Sequence, residues 1–147
     1  MVRVIGALIL VLVLATPSLG QQSLVGTYEL ISHVVETGGT PTEPLGMAPH
    51  GYLVLTPTRA IIFYTGDNRK FGTSMAEKAA LFDTVTGWSG VYHVEGSKLV
   101  ILVDASWIED WDGKDQIRNW QISRNRLTLM SDPMPAGRDP SRMVIVR

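Results

Sequence analysis

The sequence predicts an all-β domain, an eight-stranded antiparallel up-and-down barrel with one short helix. Eight runs rich in β-branched and aromatic residues follow one another, most of them joined by short turns, and a single segment has helical periodicity. Neither a βαβ alternation nor an internal repeat occurs in the sequence. Eight antiparallel strands suit a closed barrel that is just wide enough to hold one small ligand.

The composition is that of a folded single domain. Hydrophobic residues make up 45% and charged residues 18% of the 147 residues. The formal net charge of −1 argues against a nucleic-acid partner, because such proteins carry a basic excess that replaces the counterions on phosphate. The sequence contains no cysteine, which excludes thiol catalysis, thiolate metal sites and disulfides.

The first 20 residues have the pattern of a secretory signal peptide. A basic start precedes the apolar run Val4–Ala15, which is too short to span a bilayer, and small residues follow. We expect cleavage at Gly20/Gln21, no stable membrane anchor after cleavage, and a periplasmic or secreted protein; the alternative is an uncleaved membrane anchor. The barrel domain then comprises residues 21–147.

The strands are predicted from alternating or β-branched runs that are bounded by Gly, Pro, Asn and Asp. In chain order they are Leu24–Val35, Gly51–Thr56, Ala60–Tyr64, Trp88–Glu95, Lys98–Trp107, Gln116–Ser123, Leu127–Ser131 and Arg142–Arg147. Two long loops, 38–50 and 132–141, interrupt this series.

One segment of the chain has the period of a helix. Ser74 and Glu77 have the spacing of a capping box, in which the N-cap hydroxyl and the Glu side chain satisfy each other's backbone amides. Apolar residues then recur at helical spacing, and Gly87 could end the helix in a left-handed cap. The sequence predicts a helix of about three turns within residues 74–86.

Five sequence blocks, taken together and in order, resemble the bacterial lipocalin-like domain family. These blocks are Leu24–Ser32, Pro49–Leu53, Trp88–Val94, Trp111–Arg118 and Arg126–Leu129, followed by a terminal strand that ends in arginine. The resemblance implies a calycin-type barrel whose members are presumed to hold small, rather apolar molecules.

The resemblance also implies a structural pair at the closed end of the barrel. In lipocalin-type barrels an aromatic residue of the first strand stacks on a late arginine, which places Tyr28 under Arg147 with a cation–π energy of about 0.5–2 kcal/mol. Many family members have a histidine pair in the fifth strand, where this chain has Val100–Val103. No role of those histidines therefore carries over to this protein.

Arg118 is the strongest single candidate for ligand binding. It shares one strand face with three other residues, Gln116, Trp120 and Ile122. If this face is the interior, a lone arginine is costly and must be paired or must bind an acceptor group such as a ligand carboxylate. The alternatives are an internal ion pair with Glu29 or Asp104, or a face that points to water.

Four aromatic residues could form the wall of the same site. Tyr52, Tyr92, Trp107 and Trp120 combine apolar bodies with polar tips, as small-molecule sites do. Their alternative role is plain barrel core.

The sequence gives no basis for catalytic, metal-binding or cofactor-binding residues. His33, His50 and His93 lie on separate segments without metal-ligand spacing. Among them His50 is the best candidate, because it precedes a strand where a barrel mouth could be, whereas His93 is expected to face solvent. The acidic run Asp110–Asp115 lacks the ligands of a calcium loop and reads as a hairpin turn. Nucleophile-elbow and dinucleotide patterns are absent from the sequence.

The sequence thus favours an exported barrel that binds a small apolar or amphipathic molecule in its cavity. One alternative is an envelope interaction or inhibitor module with a filled barrel, which would use loops 38–50 and 132–141 for contact. The other is a cofactor-free isomerase or cyclase that would use Arg118 and tyrosine hydroxyls in the same cavity.

Overall fold

A computed structural model describes residues 23–132 and 140–146 of the chain. The predicted signal peptide with its Gly20/Gln21 cleavage site lies outside the described residues, and so does Arg147. The described strands are β1 (Gly26–Thr37), β2 (Thr40–Thr42), β3 (His50–Leu55), β4 (Arg59–Thr65), β5 (Val85–Glu95), β6 (Lys98–Ser106), β7 (Asp115–Ser123), β8 (Arg126–Met130) and β9 (Ser141–Val146). Helix α1 (Met75–Phe82) joins β4 to β5, and a short 3₁₀ turn, Glu109–Trp111, precedes β7.

The strands form a closed antiparallel barrel. Each strand from β3 onward pairs with the next in the chain, β1 pairs with β3, and β9 pairs back with β1. The three-residue strand β2 pairs with the end of β1 as a hairpin and is not one of the eight strands that close the barrel. The predicted eight-stranded up-and-down barrel with one helix is therefore confirmed.

The two ends of the barrel differ in the length of their connections. At one end, which we call the closed end, tight turns join the strands at residues 56–58, 96–97 and 124–125. At the other, the open end, the connections are longer: they lie between β1 and β3, where they include β2, between β4 and β5, between β6 and β7, and between β8 and β9. Helix α1 belongs to the open end.

Side chains alternate between the barrel interior and the outer surface. In β3, Leu53 and Leu55 are buried, and in β4, Ile62 and Tyr64 are buried, whereas their neighbours along each strand face outward. At the closed end the interior is filled, and the hydroxyl of the fully buried Tyr28 donates a hydrogen bond of 2.8 Å to the Leu24 carbonyl.

A β-bulge in β1 changes which residues face the interior. The register with β9 shifts between Leu30 and Ser32, so Ile31 is an extra residue on β1. A bulge of this kind reverses the alternation along the strand beyond it. As a result His33, which pairs with the buried Met143, points inward, although a strict alternation from Leu30 would have turned it outward.

Helix α1 begins as predicted and ends earlier. The Ser74 hydroxyl accepts from the Glu77 amide and the Glu77 carboxylate accepts from the Ser74 amide, so the capping box is present. The Glu77 carboxylate accepts hydrogen bonds from the amide and the hydroxyl of Ser74 and from Thr73, and these bonds lower the pKa of Glu77 to about 2. The helix ends at Phe82 with a right-handed cap at Asp83. The expected left-handed cap at Gly87 is wrong, because Gly87 lies within β5.

With eight residues the helix has about two turns. None of its residues is buried, and its first residue, Met75, is 81% exposed. In the part of the chain that the structure describes, no helix has the length and apolar character needed to cross a membrane.

Candidate functional site

A cavity of about 430 Å³ lies inside the barrel. Most residues of its wall come from the strand halves that lead to the open end, and the wall is mainly apolar. The lining residues are His33, Val35, Leu53, Ile62, Tyr64, Thr86, Trp88, Leu99, Ile101, Ile108, Trp111, Arg118, Leu129, Ser131, Ser141 and Met143. The volume falls within the range of small-molecule sites in proteins.

Arg118 is the cationic residue of this wall. It lies on β7 opposite Leu99 and is only 9% exposed. Its guanidinium donates to the carbonyl of Ile117 at 2.9 Å and to the side-chain oxygen of the buried Gln116 at 3.3 Å. Burial lowers the pKa of Arg118, an effect that the nearby Tyr64 partly opposes. Because arginine stays protonated in proteins, the site carries a positive charge.

That charge has no ionic partner among the described residues. The two carboxylates considered from the sequence are elsewhere: Glu29 is exposed, and Asp104 pairs with Arg59 on the outer surface at 2.7 Å. The alternative of an internal ion pair with either residue is therefore wrong. Arg118 faces the barrel interior and not water, and most of its guanidinium donors have no protein acceptor in the described part of the chain.

His33 and Tyr64 form the polar wall associated with Arg118. Their ring centroids are 5.6 Å apart with an interplanar angle of 45°. Nδ1 of His33 is buried and makes no hydrogen bond in the described structure. Burial and, to a smaller extent, the positive charge of Arg118 lower the pKa of His33. Burial raises the pKa of Tyr64, while a hydrogen bond with Thr86 and the charge of Arg118 oppose that rise.

The serine pair at the open end is already hydrogen-bonded. The hydroxyls of Ser131 and Ser141 are 2.9 Å apart, and the Ser141 amide donates to the Ser131 hydroxyl at 2.9 Å. These contacts tie the end of β8 to the start of β9. They also reduce the capacity of both hydroxyls to bind a ligand.

The structure corrects the placement of the two tyrosines predicted for the cavity wall. Tyr52 is 56% exposed and stands beside Phe63 on the outside of the barrel. Tyr92 does face inward, but it lies in the filled closed end, where its hydroxyl donates to the Thr56 carbonyl at 2.7 Å. Neither residue lines the cavity.

The two predicted tryptophans also lie outside the cavity lining. Trp107 follows the end of β6, and its ring packs on Phe82 of α1 with centroids 4.7 Å apart. Trp120 is half-buried and packs against the barrel core. The indole N–H of each is buried without a hydrogen-bond partner in the described structure. Of the five residues predicted for binding, only Arg118 is on the cavity wall.

The remaining expectations concern the other histidines, the pair Tyr28 and Arg147, and metal binding. His50 is exposed and does not line the cavity, while His93 is on the outer surface 2.8 Å from Glu95, as expected. Tyr28 is buried at the closed end, but its predicted partner Arg147 lies outside the described residues. Within residues 23–132 and 140–146, no group of three or more His, Cys, Asp or Glu side chains could hold a metal ion.

Sequence reasoning missed His33 and Tyr64. Tyr64 lies on the buried face of β4 with Ala60 and Ile62, but the exposed face is equally apolar in sequence, so the alternation gave no signal. His33 gave no signal either, because its inward orientation depends on the bulge at Ile31.

The comparisons with known proteins agree with this architecture. A protein-family model described as a lipocalin-like domain matches residues 25–146. Searches of curated proteins and of solved structures gave no match for this chain.

Proposed function

The chain belongs to the lipocalin-like domain family, and on this premise we propose that its barrel binds a small amphipathic molecule whose acceptor group is held by Arg118. The observation that carries the proposal is an inward-facing guanidinium without a carboxylate partner in the described structure, on the wall of an otherwise mainly apolar cavity. A buried charge of this kind is costly unless it is paired or bound.

The size of the cavity defines the size of the ligand. One water molecule in the liquid occupies about 30 Å³, so the cavity of about 430 Å³ has room for roughly 14 non-hydrogen atoms. A ten-carbon chain with a small polar head is of this size. Six apolar side chains, Leu53, Ile62, Leu99, Ile101, Leu129 and Met143, would contact such a chain.

Binding can be measured through tryptophan fluorescence, because Trp88 and Trp111 are part of the cavity wall. The probes are decanoate, decanesulfonate and decanol, titrated into the domain. We expect saturable binding, and we expect Arg118→Met to weaken decanoate binding about 10- to 100-fold, since a charge-assisted hydrogen bond contributes about 1.5–3 kcal/mol.

The matched control is Arg126→Met, because Arg126 is exposed on the neighbouring strand β8. This variant should bind as the unmodified domain does. If none of the three probes binds, or if Arg118→Met binds decanoate with unchanged affinity, the proposal is wrong.

The cavity also bears on the two alternative functions. A filled barrel that presents its loops to a protein partner does not need an interior space of this size. An isomerase or cyclase would use the same wall, where Tyr64 is the tyrosine that accompanies Arg118. We favour the binding function because a guanidinium in an apolar cavity is sufficient for it.

Export is a separate part of the proposal and depends on the sequence pattern of residues 1–20 alone. The intact mass of the protein isolated from its host should correspond to residues 21–147, with or without loss of ammonia through cyclisation of an N-terminal glutamine. A protein that retains residue 1 would exclude cleavage at that site.

A further inference from the structure

We infer that the cavity selects an anionic amphiphile over a neutral one of the same shape, and that His33 takes up a proton when the anion binds beside Arg118. This inference rests on the proposed binding function. It makes His33 a specificity-determining residue and identifies the ligand as a small apolar chain with a negatively charged head.

The first step of the argument is the position of the His33 ring. The ring is part of the cavity wall, packs on Tyr64 at 5.6 Å, and makes no hydrogen bond in the described part of the chain. A neutral imidazole has one donor and one acceptor, whereas the protonated ring has two donors. The ring is thus half-buried with a fully buried Nδ1, and no described protein hydrogen bond fixes its protonation state.

The second step is the set of charges around the ring. From β4 it packs on the Tyr64 ring, from β7 the positive charge of Arg118 acts on it, and its partner on β9 is the uncharged Met143. The charged neighbours on its own strand, Glu29 and Glu36, are exposed. The described cavity wall contains no carboxylate. The empty site therefore holds one cation and disfavours a second.

The third step is what an anion changes. Burial and the Arg118 charge both lower the pKa of His33 in the empty barrel. A negative head group beside Arg118 would offset the positive charge of Arg118 and would attract a positive charge on His33. The pKa of His33 therefore rises in the complex. A ligand that binds better when a group is protonated must also make that group take up protons.

The fourth step separates anions from neutral ligands. A hydroxyl head can accept a hydrogen bond from Arg118, but it leaves the buried positive charge uncompensated. A neutral head group also leaves the positive charge of Arg118 free to repel a proton from His33, so His33 stays neutral. Proton uptake and the preference for an anion therefore have the same origin and should appear together.

The test is isothermal titration calorimetry of the domain with decanesulfonate and decanol at pH 5.5, 6.5 and 7.5. Decanesulfonate is ionised throughout this range, so protons taken up on binding come to the protein and not to the ligand. We expect its affinity to increase as the pH falls, by up to about tenfold per pH unit, the limit for one linked proton. Decanol should bind more weakly and without this pH dependence. Titrations in buffers of different ionisation enthalpy will give the number of protons that the protein takes up on binding.

The variant His33→Gln should bind decanesulfonate with an affinity that no longer increases as the pH falls. The matched control is His93→Gln, because His93 is exposed on the outer surface and should leave the pH profile unchanged. Histidine proton resonances of the unmodified domain provide a second measurement that needs no variant. The pKa of His33 should rise when decanesulfonate is added.

The outcomes distinguish this inference from the proposed function. If no ten-carbon probe binds, the binding function itself is wrong. If decanesulfonate binds with a pH-independent affinity, or His33→Gln keeps the pH dependence, proton uptake by His33 is wrong and the binding function stands. If decanol binds as tightly as decanesulfonate, the preference for an anion is wrong.

Discussion

The closed and open halves of the barrel are formed by the same eight strands, yet their interiors differ. Toward the closed end tight turns bring the strands together, and buried side chains such as Tyr28, Leu55 and Leu127 fill the space between them. Toward the open end the connections are long, and the interior contains a cavity with an arginine and a histidine in its wall. One half therefore accounts for stability, and the other keeps buried polar groups that cost stability.

Two leucines on the same strand give the most direct test of this difference. Leu127 is fully buried in the filled half and Leu129 lines the cavity, two residues further along β8. In a filled interior, Leu→Ala lowers the free energy of unfolding by about 3–5 kcal/mol. The loss has two parts: the removed methyl groups no longer leave water on folding, and an empty cavity remains. We expect about 4 kcal/mol for Leu127→Ala and about 2 kcal/mol for Leu129→Ala, whose side chain already faces a space.

The measurement is the free energy of unfolding from urea denaturation without ligand. Equal losses of stability for Leu127→Ala and Leu129→Ala would mean that side chains fill both halves of the interior equally and that the cavity does not persist in solution.

Replacing the buried cation should stabilise the empty barrel. Arg118→Met keeps much of the side-chain volume and removes a buried charge that has no ionic partner among the described residues. Replacing buried ionic groups with apolar ones can stabilise a protein by about 1–4 kcal/mol. We expect the free energy of unfolding to rise by about 1–2 kcal/mol, while decanoate binding falls.

Thermal and urea unfolding of Arg118→Met, beside Arg126→Met as the exposed control, will measure this change. A loss of stability in Arg118→Met would show that the guanidinium is already satisfied within the protein. The open half would then not be specialised for a ligand.

The sequence predicted the strands well, because strand alternation and turn chemistry are local. The turns at residues 56–58, 96–97 and 124–125 are where Pro, Gly and Asn indicated them. The sequence placed Gln116 and Arg118 on one face of β7, and both are buried, but it left open whether that face points inward. The short strand β2 was expected to be loop, because a three-residue hairpin extension has too few residues to show a period.

The composition of the cavity wall could not be predicted in the same way. In β4, Ile61 and Phe63 face outward while Ile62 and Tyr64 face inward, so both faces are apolar and neither identifies the interior. The same ambiguity put Tyr52 on the wrong face. His33 depends on a single extra residue in β1, whose register is set by pairing with β9 more than a hundred positions away.

The stability of the empty barrel should depend on pH through His33. Its pKa in the folded protein is below the value of 6.5 expected for the unfolded chain. The unfolded chain therefore binds more protons as the pH falls through 6.5, and stability decreases until the pH reaches the folded pKa. His33→Phe should flatten this decrease between pH 7 and pH 5, a range we choose to bracket 6.5.

The free energy of unfolding at several pH values, with His93→Phe as the exposed control, measures this dependence. Saturating decanesulfonate should reduce the slope in the unmodified domain. If His33→Phe and the unmodified domain lose stability in parallel, the titrating group is elsewhere.

The smallest effect on stability should come from a change in helix α1, which lies at the open end but contributes no buried side chain to the interior. Ser74→Ala removes the N-cap hydroxyl, a change that costs a helix about 1 kcal/mol. Because no residue of the helix is buried, the helix can open without exposing the barrel core, so the free energy of global unfolding should change by less than about 0.5 kcal/mol. Hydrogen exchange should increase in Met75–Phe82 alone, with decanoate affinity unchanged. A weaker affinity would mean that the helix contributes to the ligand site, and the open half would then extend beyond the strands.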